Sequence, residues 1–494
     1  MMPIADSPAI IVCVIGYLVA CFGIGIWAMR RTHSSADFFL AGKSLGPMVV
    51  VLATMSSIMS GFGFVGGPGL VFESGSTSFW ITFAATFAMP LGAVMLGKRL
   101  RLLAEVREIL TLPDAVEARY GGRWPRATMA VAILLGVLGY LGTQVMAIGV
   151  VLVAVLGVDL PVGLAIGLGV LAFYSIAGGI MASVYTDLFQ GLLMIGASLA
   201  VFSFAVNAAG GLNAIGTTLW EMDPEFLGPW GSRGPLTSLS WFLLFVIGGV
   251  GQPHGITKFM MLKDIGKLKW AGLMTGPCYA LLSLLWVSIG LSMRTLVENG
   301  VHAPLDSPDH AAPAFLLNYV PELLAGVVFA GLLAAIMSTA DSFLNLGAAS
   351  VVRDIPTALL GRPLERELLW SRVATGVLLV TSALFALYME NLIALLGTFG
   401  WGTFAAAIFP SIAIGLNWKR ATGAACVASI ATSIALNFAL ELSARHGLFQ
   451  LPYGMNVGAF SLLASLVVFI GVSWCHTPAV RRDLPADVKA AMEV

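Results

Sequence analysis

Charge is the scarcest ingredient of this chain. Only 11% of its 494 residues are charged, against 58% hydrophobic. A water-soluble domain carries roughly 25% charged residues on its surface, so a soluble globule of this length is excluded and the surrounding solvent is lipid. The formal net charge is zero and no basic or acidic block stands out, which excludes a nucleic-acid-binding surface. The five cysteines, Cys13, Cys21, Cys278, Cys426 and Cys475, lie in apolar surroundings without a C-x-x-C pair. A disulfide framework and a zinc site are thereby set aside, and the cysteines read as small apolar packing residues. No segment shows the short alternating pattern of a barrel strand. No positive charge precedes the first apolar stretch, Ile10 to Ala28, whereas Arg30 and Arg31 follow it. A signal peptide has the opposite order, so this stretch reads as a retained helix.

Long apolar runs fill the rest. A helix needs about 20 apolar residues to cross the hydrocarbon core and closes its own backbone hydrogen bonds there. About thirteen such segments are readable, in one integral membrane domain over 1–494. With the N-terminus outside and strict alternation, all 26 basic residues except Arg233, Arg294 and Arg445 fall in inside loops or tails. Lys258, Lys263, Lys267 and Lys269 are counted there as one such group. This asymmetry follows the positive-inside rule and predicts a multi-pass protein of a bacterial inner membrane with a cytoplasmic C-terminus. Two longer outside loops remain, 209–237 and 295–321. His302 and His310 in the second read as solvated loop residues rather than metal ligands.

Two segments contain breaks. One runs Ser56-Ser57-Ile58-Met59-Ser60-Gly61-Phe62-Gly63 and continues to Gly66-Gly67-Pro68-Gly69; the other is Gly248-Gly249-Val250-Gly251-Gln252-Pro253-His254-Gly255. Glycine permits non-helical torsions and proline removes a donor, although glycines also serve close helix packing. Interrupted helices in corresponding places of two halves mark the binding region of secondary transporters. Each broken segment opens a block of five helices, 45–208 and 238–416, with extra helices over 421–475. Five is odd, so the blocks have opposite topology.

Two acidic residues sit uncomfortably inside apolar segments, Asp187 and Asp341. An ionisable group in a bilayer is costly and marks an ion or proton path. Ser338, Asp341 and Ser342 share a helix face with Thr339 beside them, a patch of oxygens of the kind hard cations take. The competing reading is that the hydroxyls bond the preceding turn's carbonyls. Asp187 opens the sixth segment, where a carboxylate also stabilises a helix N-terminus.

Tyr174 to Gln190 with Gly178-Gly179 and Thr186-Asp187-x-x-Gln190, the Ala334–Ser342 stretch, Gly251-Gln252-Pro253-His254 and the glycine-rich second segment together resemble the sodium/solute symporter family. That family includes sodium/proline, sodium/pantothenate, sodium/glucose, sialic acid and acetate carriers. The resemblance spans nearly the whole chain. It implies an all-α LeuT-like fold with a 5+5 inverted-repeat core, and symport of a small organic solute driven by Na⁺, with no enzymatic step. It implies a principal Na⁺ site from Ser56, Met59, Ala335, Ser338 and Thr339. A second cation or proton site corresponds to Asp187, Ser338, Asp341 and Ser342, with Asp341 standing where the family's sialic acid carriers have a serine. Solute contacts correspond to Ser60, Gly61, Gln144, Phe245, Gly249, Gln252 and Pro253. Ile58 and Gly249 depart from the sodium/proline pattern, while Tyr140 to Gln144 looks like the monocarboxylate and acetate branch. The expected cargo is therefore a monocarboxylate or amino-acid-like solute, carried by a monomer in the lipid bilayer. The alternatives are proton coupling through Asp187 and Asp341 on the same fold, and a transporter-like solute sensor.

Overall fold

The computed structural model describes the backbone of residues 7–30, 45–107, 109–389, 393–475 and 484–494, and their side chains except at 28, 29, 174, 177–185, 388, 389 and 394–396. Arg31, Lys43, Arg481 and Arg482 lie outside these described parts, and of the Gly178-Gly179 pair only the helical backbone is described. Among the described residues the chain is all-helical, with 11 helical stretches long and apolar enough to cross a membrane and two shorter apolar ones, Pro47–Ile58 and Leu160–Phe173, the latter the first part of a longer helix.

The elements that build the centre are α1 (Pro8–Met29), α2 (Pro47–Ile58), α3 (Gly67–Ser74), α4 (Phe79–Gly92), α5 (Arg123–Leu156), α6 (Leu160–Ala208) and α7 (Gly234–Val250). They continue as α8 (Pro253–Met260), α9 (Leu268–Glu298), α10 (Glu322–Ala349), α11 (Glu367–Met389), α12 (Ile393–Ile408), α13 (Gly423–Arg445) and α14 (Val457–Cys475). Helix α6 differs from expectation. The sequence suggests two segments parting near 181–183, whereas the helical backbone is continuous over 49 residues. At about 1.5 Å per residue that exceeds twice the roughly 30 Å hydrocarbon core. No proline interrupts it there, and glycines cost a helix only about 1 kcal/mol each.

Both anticipated breaks are present. Helix α2 stops at Met59, whose backbone is extended (φ −75°, ψ 107°). The chain resumes as a π-helical turn, Phe62–Gly66, leading into α3. Helix α7 stops at Gly251, Gln252 is extended (φ −70°, ψ 116°), and Pro253 starts α8. Proline suits the first helical position, where no N–H is needed. The α2 side of the first break packs against α6, α9 and α10. Helices α13 and α14 pack on each other and on α12, flanking this core.

Close approach explains two of the glycines. A Cβ on Gly67 would lie 2.1 Å from the Trp286 ring, and one on Gly400 would lie 2.6 Å from the Tyr140 backbone nitrogen. Each end of the bundle is tied by polar contacts. At the basic end, Arg101 donates to the Leu262 carbonyl at 2.7 Å, and Arg119 to those of Gly415 and Trp418 at 2.8 and 3.0 Å. There too, buried Arg126 pairs with Asp114, Glu117 and Asp354 at 2.5, 2.5 and 3.1 Å. At the other end Arg233 meets Glu73 at 2.8 Å and Ser74 at 2.7 Å. The Asp309 carboxylate accepts the Ile393 N–H at 3.0 Å. His302, read as a solvated loop residue, meets the Tyr319 hydroxyl at 3.1 Å.

Two outcomes follow from these contacts. Gly67→Ala drives its methyl into Trp286; the expected loss is about 1–3 kcal/mol of stability, read as a lowered thermal midpoint in detergent. Burial pushes the Asp309 carboxyl up to about 6, opposed by the Ile393 N–H. Its folded-state pKa thus lies above the unfolded value near 3.9. The stability it contributes is complete below about pH 4 and disappears as pH rises through about 6. Neighbouring His310, lowered by burial, acts in the opposite sense. The informative comparison is therefore Asp309→Asn against wild type at each pH: the variant gains relative stability from about pH 4 to 6 and levels off above.

Candidate functional site

A helix end leaves carbonyls without partners. At the end of α2 two of these point to α10, where hydroxyls receive them. Ser338 Oγ lies 3.0 Å from the Ser56 carbonyl and 3.0 Å from that of Ala335; Thr339 Oγ1 lies 2.8 Å from the Ser57 carbonyl and 3.0 Å from that of Ala335. Ser56 Oγ lies 3.2 Å from Ser338 Oγ. Each hydroxyl has one hydrogen. Those of Ser338 and Thr339 serve the two loose carbonyls, while the Ala335 carbonyl, inside α10, already takes a helical N–H; the contacts to it are the turn-back bonds of the competing reading. All of these residues are buried. Hard oxygens converging from two helices suit a small hard cation. Ser56, Ala335, Ser338 and Thr339 are thus brought together, Met59 is the extended residue at the break, and Ser57 contributes a carbonyl that the sequence reading missed.

The second group is organised differently. Lys258, counted from sequence among cytoplasmic loop residues, is buried instead: its side chain is 1% exposed and pairs with Asp187, 0% exposed, at 2.6 Å. This corrects the sequence reading. Helix α8 starts at Pro253, so Lys258 falls in its second turn, inside the bundle. Its ammonium also donates to the Ala53 carbonyl at 2.8 Å and to the Ser57 hydroxyl. Ser57 Oγ lies 3.3 Å from Asp187 Oδ2 and 3.1 Å from Ser342 Oγ. Asp187 and Ser342 are therefore joined through Ser57, and Asp341 takes the side-chain amide of Asn345 at 3.4 Å on its carboxylate. The apolar run Ile256 to Met261 around Lys258, directly after a break, was the available signal. A cavity of about 30 Å³ adjoins Lys258 and extends past His254, Ser342 and Asn345 to Asp354.

The residues expected to meet the solute surround both breaks. Gln144 Oε1 accepts the Gly61 N–H at 2.9 Å, and Ser60 Oγ lies 3.0 Å from the Tyr140 hydroxyl. Phe245 stacks between Phe62 and Trp401 with ring centroids 5.6 and 4.9 Å apart. A Cβ on Gly249 would lie 2.4 Å from that of Ala88 and 3.6 Å from Trp401. Gln252 donates to the Gly248 and Trp401 carbonyls at 3.2 and 3.3 Å, and Pro253 opens α8. Tyr140, Trp286 and Trp401 were not assigned to the site from sequence, yet their rings line it. Gln144 Nε2, Trp286 Nε1 and Trp401 Nε1 are buried donors without a protein acceptor, and Gln252 Oε1 is a buried acceptor without a donor. Among the described residues no group of three or more His, Cys, Asp or Glu could hold a metal.

Comparison with known proteins follows this geometry. The model of the sodium:solute symporter family matches residues 38–431. The sodium/pantothenate symporter of Escherichia coli (strain K12) is 27% identical over 421 residues, covering 83% of this chain and 86% of that protein. The high-affinity proline transporter PutP of Bacillus subtilis (strain 168) is 28% identical over 455 residues, covering 90% and 95%. Among solved structures, a Na⁺-coupled sialic acid symporter in a substrate-bound outward-open state superposes with a TM-score of 0.78 at 21% identity, covering 96% of this chain and 100% of that one. That likeness establishes a LeuT-like fold.

Removing one partner of the Lys258–Asp187 pair strands a buried charge, a loss of roughly 3–5 kcal/mol. Lys258→Met and Asp187→Asn should each lower the thermal midpoint sharply, and the double variant should lose less than the sum. Additive losses would show that the two residues do not interact.

Proposed function

The chain belongs to the sodium:solute symporter family, a family of transporters and not of enzymes, and from that premise we propose that it carries a small monocarboxylate or amino-acid-like solute inward with one or more Na⁺ ions by alternating access. Sodium-coupled solute transport is the family's work; the cargo class and the residues below are this reading's own.

The observation that carries it is the oxygen cluster at the end of α2. Na⁺ would be held by the Ser56 and Ala335 carbonyls and the Ser338 and Thr339 hydroxyls, with Met59 and Ser57 supplying further backbone oxygen. Such an ion ties the broken helix to α10. Only a ligand that binds one conformation better shifts the balance between conformations, and an ion bridging two helices does so. The paired breaks support assigning 45–208 and 238–416 as repeats of opposite topology, the arrangement that lets one half rock against the other. With the N-terminus outside, the basic end of the bundle, with Arg101, Arg119 and Arg126, faces the cytoplasm.

The solute reading rests on donors. Gln144, Trp286 and Trp401 offer N–H groups around a ring of aromatic faces, and Gln252 offers one acceptor. A carboxylate on a small apolar body fits N–H donors and aromatic walls. The Lys258 ammonium is already engaged by Asp187, so it does not serve as the carboxylate's counter-charge. The solute-contact set is Ser60, Gly61, Gln144, Phe245, Gly249, Gln252 and Pro253, with Tyr140, Trp286 and Trp401 added. A monomer contains the whole arrangement.

A thermal-shift screen of small monocarboxylates and amino acids, run with Na⁺ and with choline, should give hits that appear only with Na⁺. Uptake of the best hit into proteoliposomes should need a Na⁺ gradient; uptake driven equally well by a pH gradient in Na⁺-free buffer refutes this reading in favour of proton coupling. In that assay Thr339→Ala should raise the Na⁺ concentration for half-maximal uptake about tenfold or more, as expected for about 1.4 kcal/mol. Gln144→Leu should weaken the solute roughly 10–100-fold at unchanged Na⁺ dependence, the loss of one hydrogen bond to a charged group.

A further inference from the structure

Ser57 faces two oxygen clusters at once. Its carbonyl belongs to the Thr339 side and its hydroxyl to the Lys258 side. The two clusters differ in what meets their oxygens. On the Thr339 side hydroxyl hydrogens do. On the Lys258 side a cation does. An ammonium has three protons, and three acceptors meet it: the Ala53 carbonyl, the Ser57 hydroxyl and Asp187 Oδ2. Ser342 Oγ completes the group against Ser57. One carbonyl, two hydroxyls and a carboxylate are the oxygens a hard monovalent ion takes. Here three of them meet a positive charge that the chain itself supplies, on a side chain 1% exposed, and the fourth, Ser342 Oγ, backs Ser57.

We infer that Lys258 is a tethered cation: its ammonium holds the seat formed by Ala53, Ser57, Asp187 and Ser342, so that the protein binds a single free Na⁺, at the Ser338–Thr339 cluster, and the vacated seat admits a second Na⁺ only when this side chain is cut back. The inference rests on the sodium reading of the Ser338–Thr339 cluster. An ordinary clamp of α8 onto α6 makes a different forecast, because its removal lowers stability and creates no ion site.

The test counts radiolabelled Na⁺ bound at saturation per full-length protein in lipid nanodiscs. Wild type should bind one ion and Lys258→Ala two. Lys258→Arg keeps a tethered charge and should bind one. Lys258→Ala combined with Asp187→Asn loses the carboxylate and should return to one. A second readout is the slope of the thermal midpoint against log Na⁺ concentration, which should be about twofold steeper in Lys258→Ala than in wild type. Two ions in wild type, or one in a folded Lys258→Ala, overturns the tethered-cation assignment. An absence of saturable Na⁺ binding in wild type overturns the sodium reading itself, so the two failures are distinguishable. If Lys258→Ala does not fold, Lys258→Met, which keeps an apolar stem without the charge, takes its place: two ions support the assignment and one overturns it.

Discussion

A helix that stops partway through a bilayer releases carbonyl oxygens into a medium that offers no donors. The interruption of α2 at Met59 creates that demand, and the centre of the molecule is arranged around meeting it. Helix α10 brings the Ser338 and Thr339 hydroxyls to the loose end, Gln144 on α5 takes up the Gly61 N–H, and Lys258 on α8 reaches back to the Ala53 carbonyl. Each partner arrives from a different part of the chain. The break is thus also the point where α2, α5, α8 and α10 are held in register. Gly61 sits close against Ala147, and Gly67 against Trp286, so larger side chains at those positions would force the broken segment away from these neighbours.

Polar contacts satisfy this geometry unevenly. At the basic end, Arg126 binds three carboxylates and Arg119 covers carbonyls near Gly415 and Trp418. Around Lys258 each of the three ammonium protons meets an acceptor. Among the buried groups without a protein partner, the Gln144 amide, the Trp286 and Trp401 indoles and the Gln252 side-chain carbonyl lie together around the two breaks. Buried groups without partners cost a protein stability, and functional sites are where such costs are retained. The N–H groups left over beside the aromatic rings are where, on the proposed reading, cargo would complete the bonding.

Much of this was legible in the sequence, and for identifiable reasons. Apolar runs of spanning length and the glycine- and proline-rich interruptions are local signals, so the multi-pass fold and both breaks could be read directly. The hydroxyl patch on α10 was legible because i, i+3 and i+4 spacing defines a helix face. Lys258 was not, because a lysine at the end of an apolar run looks the same whether it faces water or a buried carboxylate; the partner, Asp187, is 71 positions away. The tryptophans were missed for a related reason. Trp286 and Trp401 sit in unbroken apolar helices, and only packing turns their rings toward Phe62 and Phe245. The continuous α6 was missed because helix continuity leaves no mark in composition when the turn-forming residues are merely glycines.

The fixed charge on Lys258 also bears on how transport is powered. A positive charge fastened to the polypeptide never leaves with the cargo, so its share of the electric field is returned on each cycle. If the load is one Na⁺ with one carboxylate anion, it is a neutral parcel, and voltage across the membrane gives it no net push; one Na⁺ with a zwitterionic amino acid is a parcel of charge +1, which voltage does drive. Depolarising the membrane would then slow uptake of the second kind of cargo and leave the first running for as long as sodium outside exceeds sodium inside.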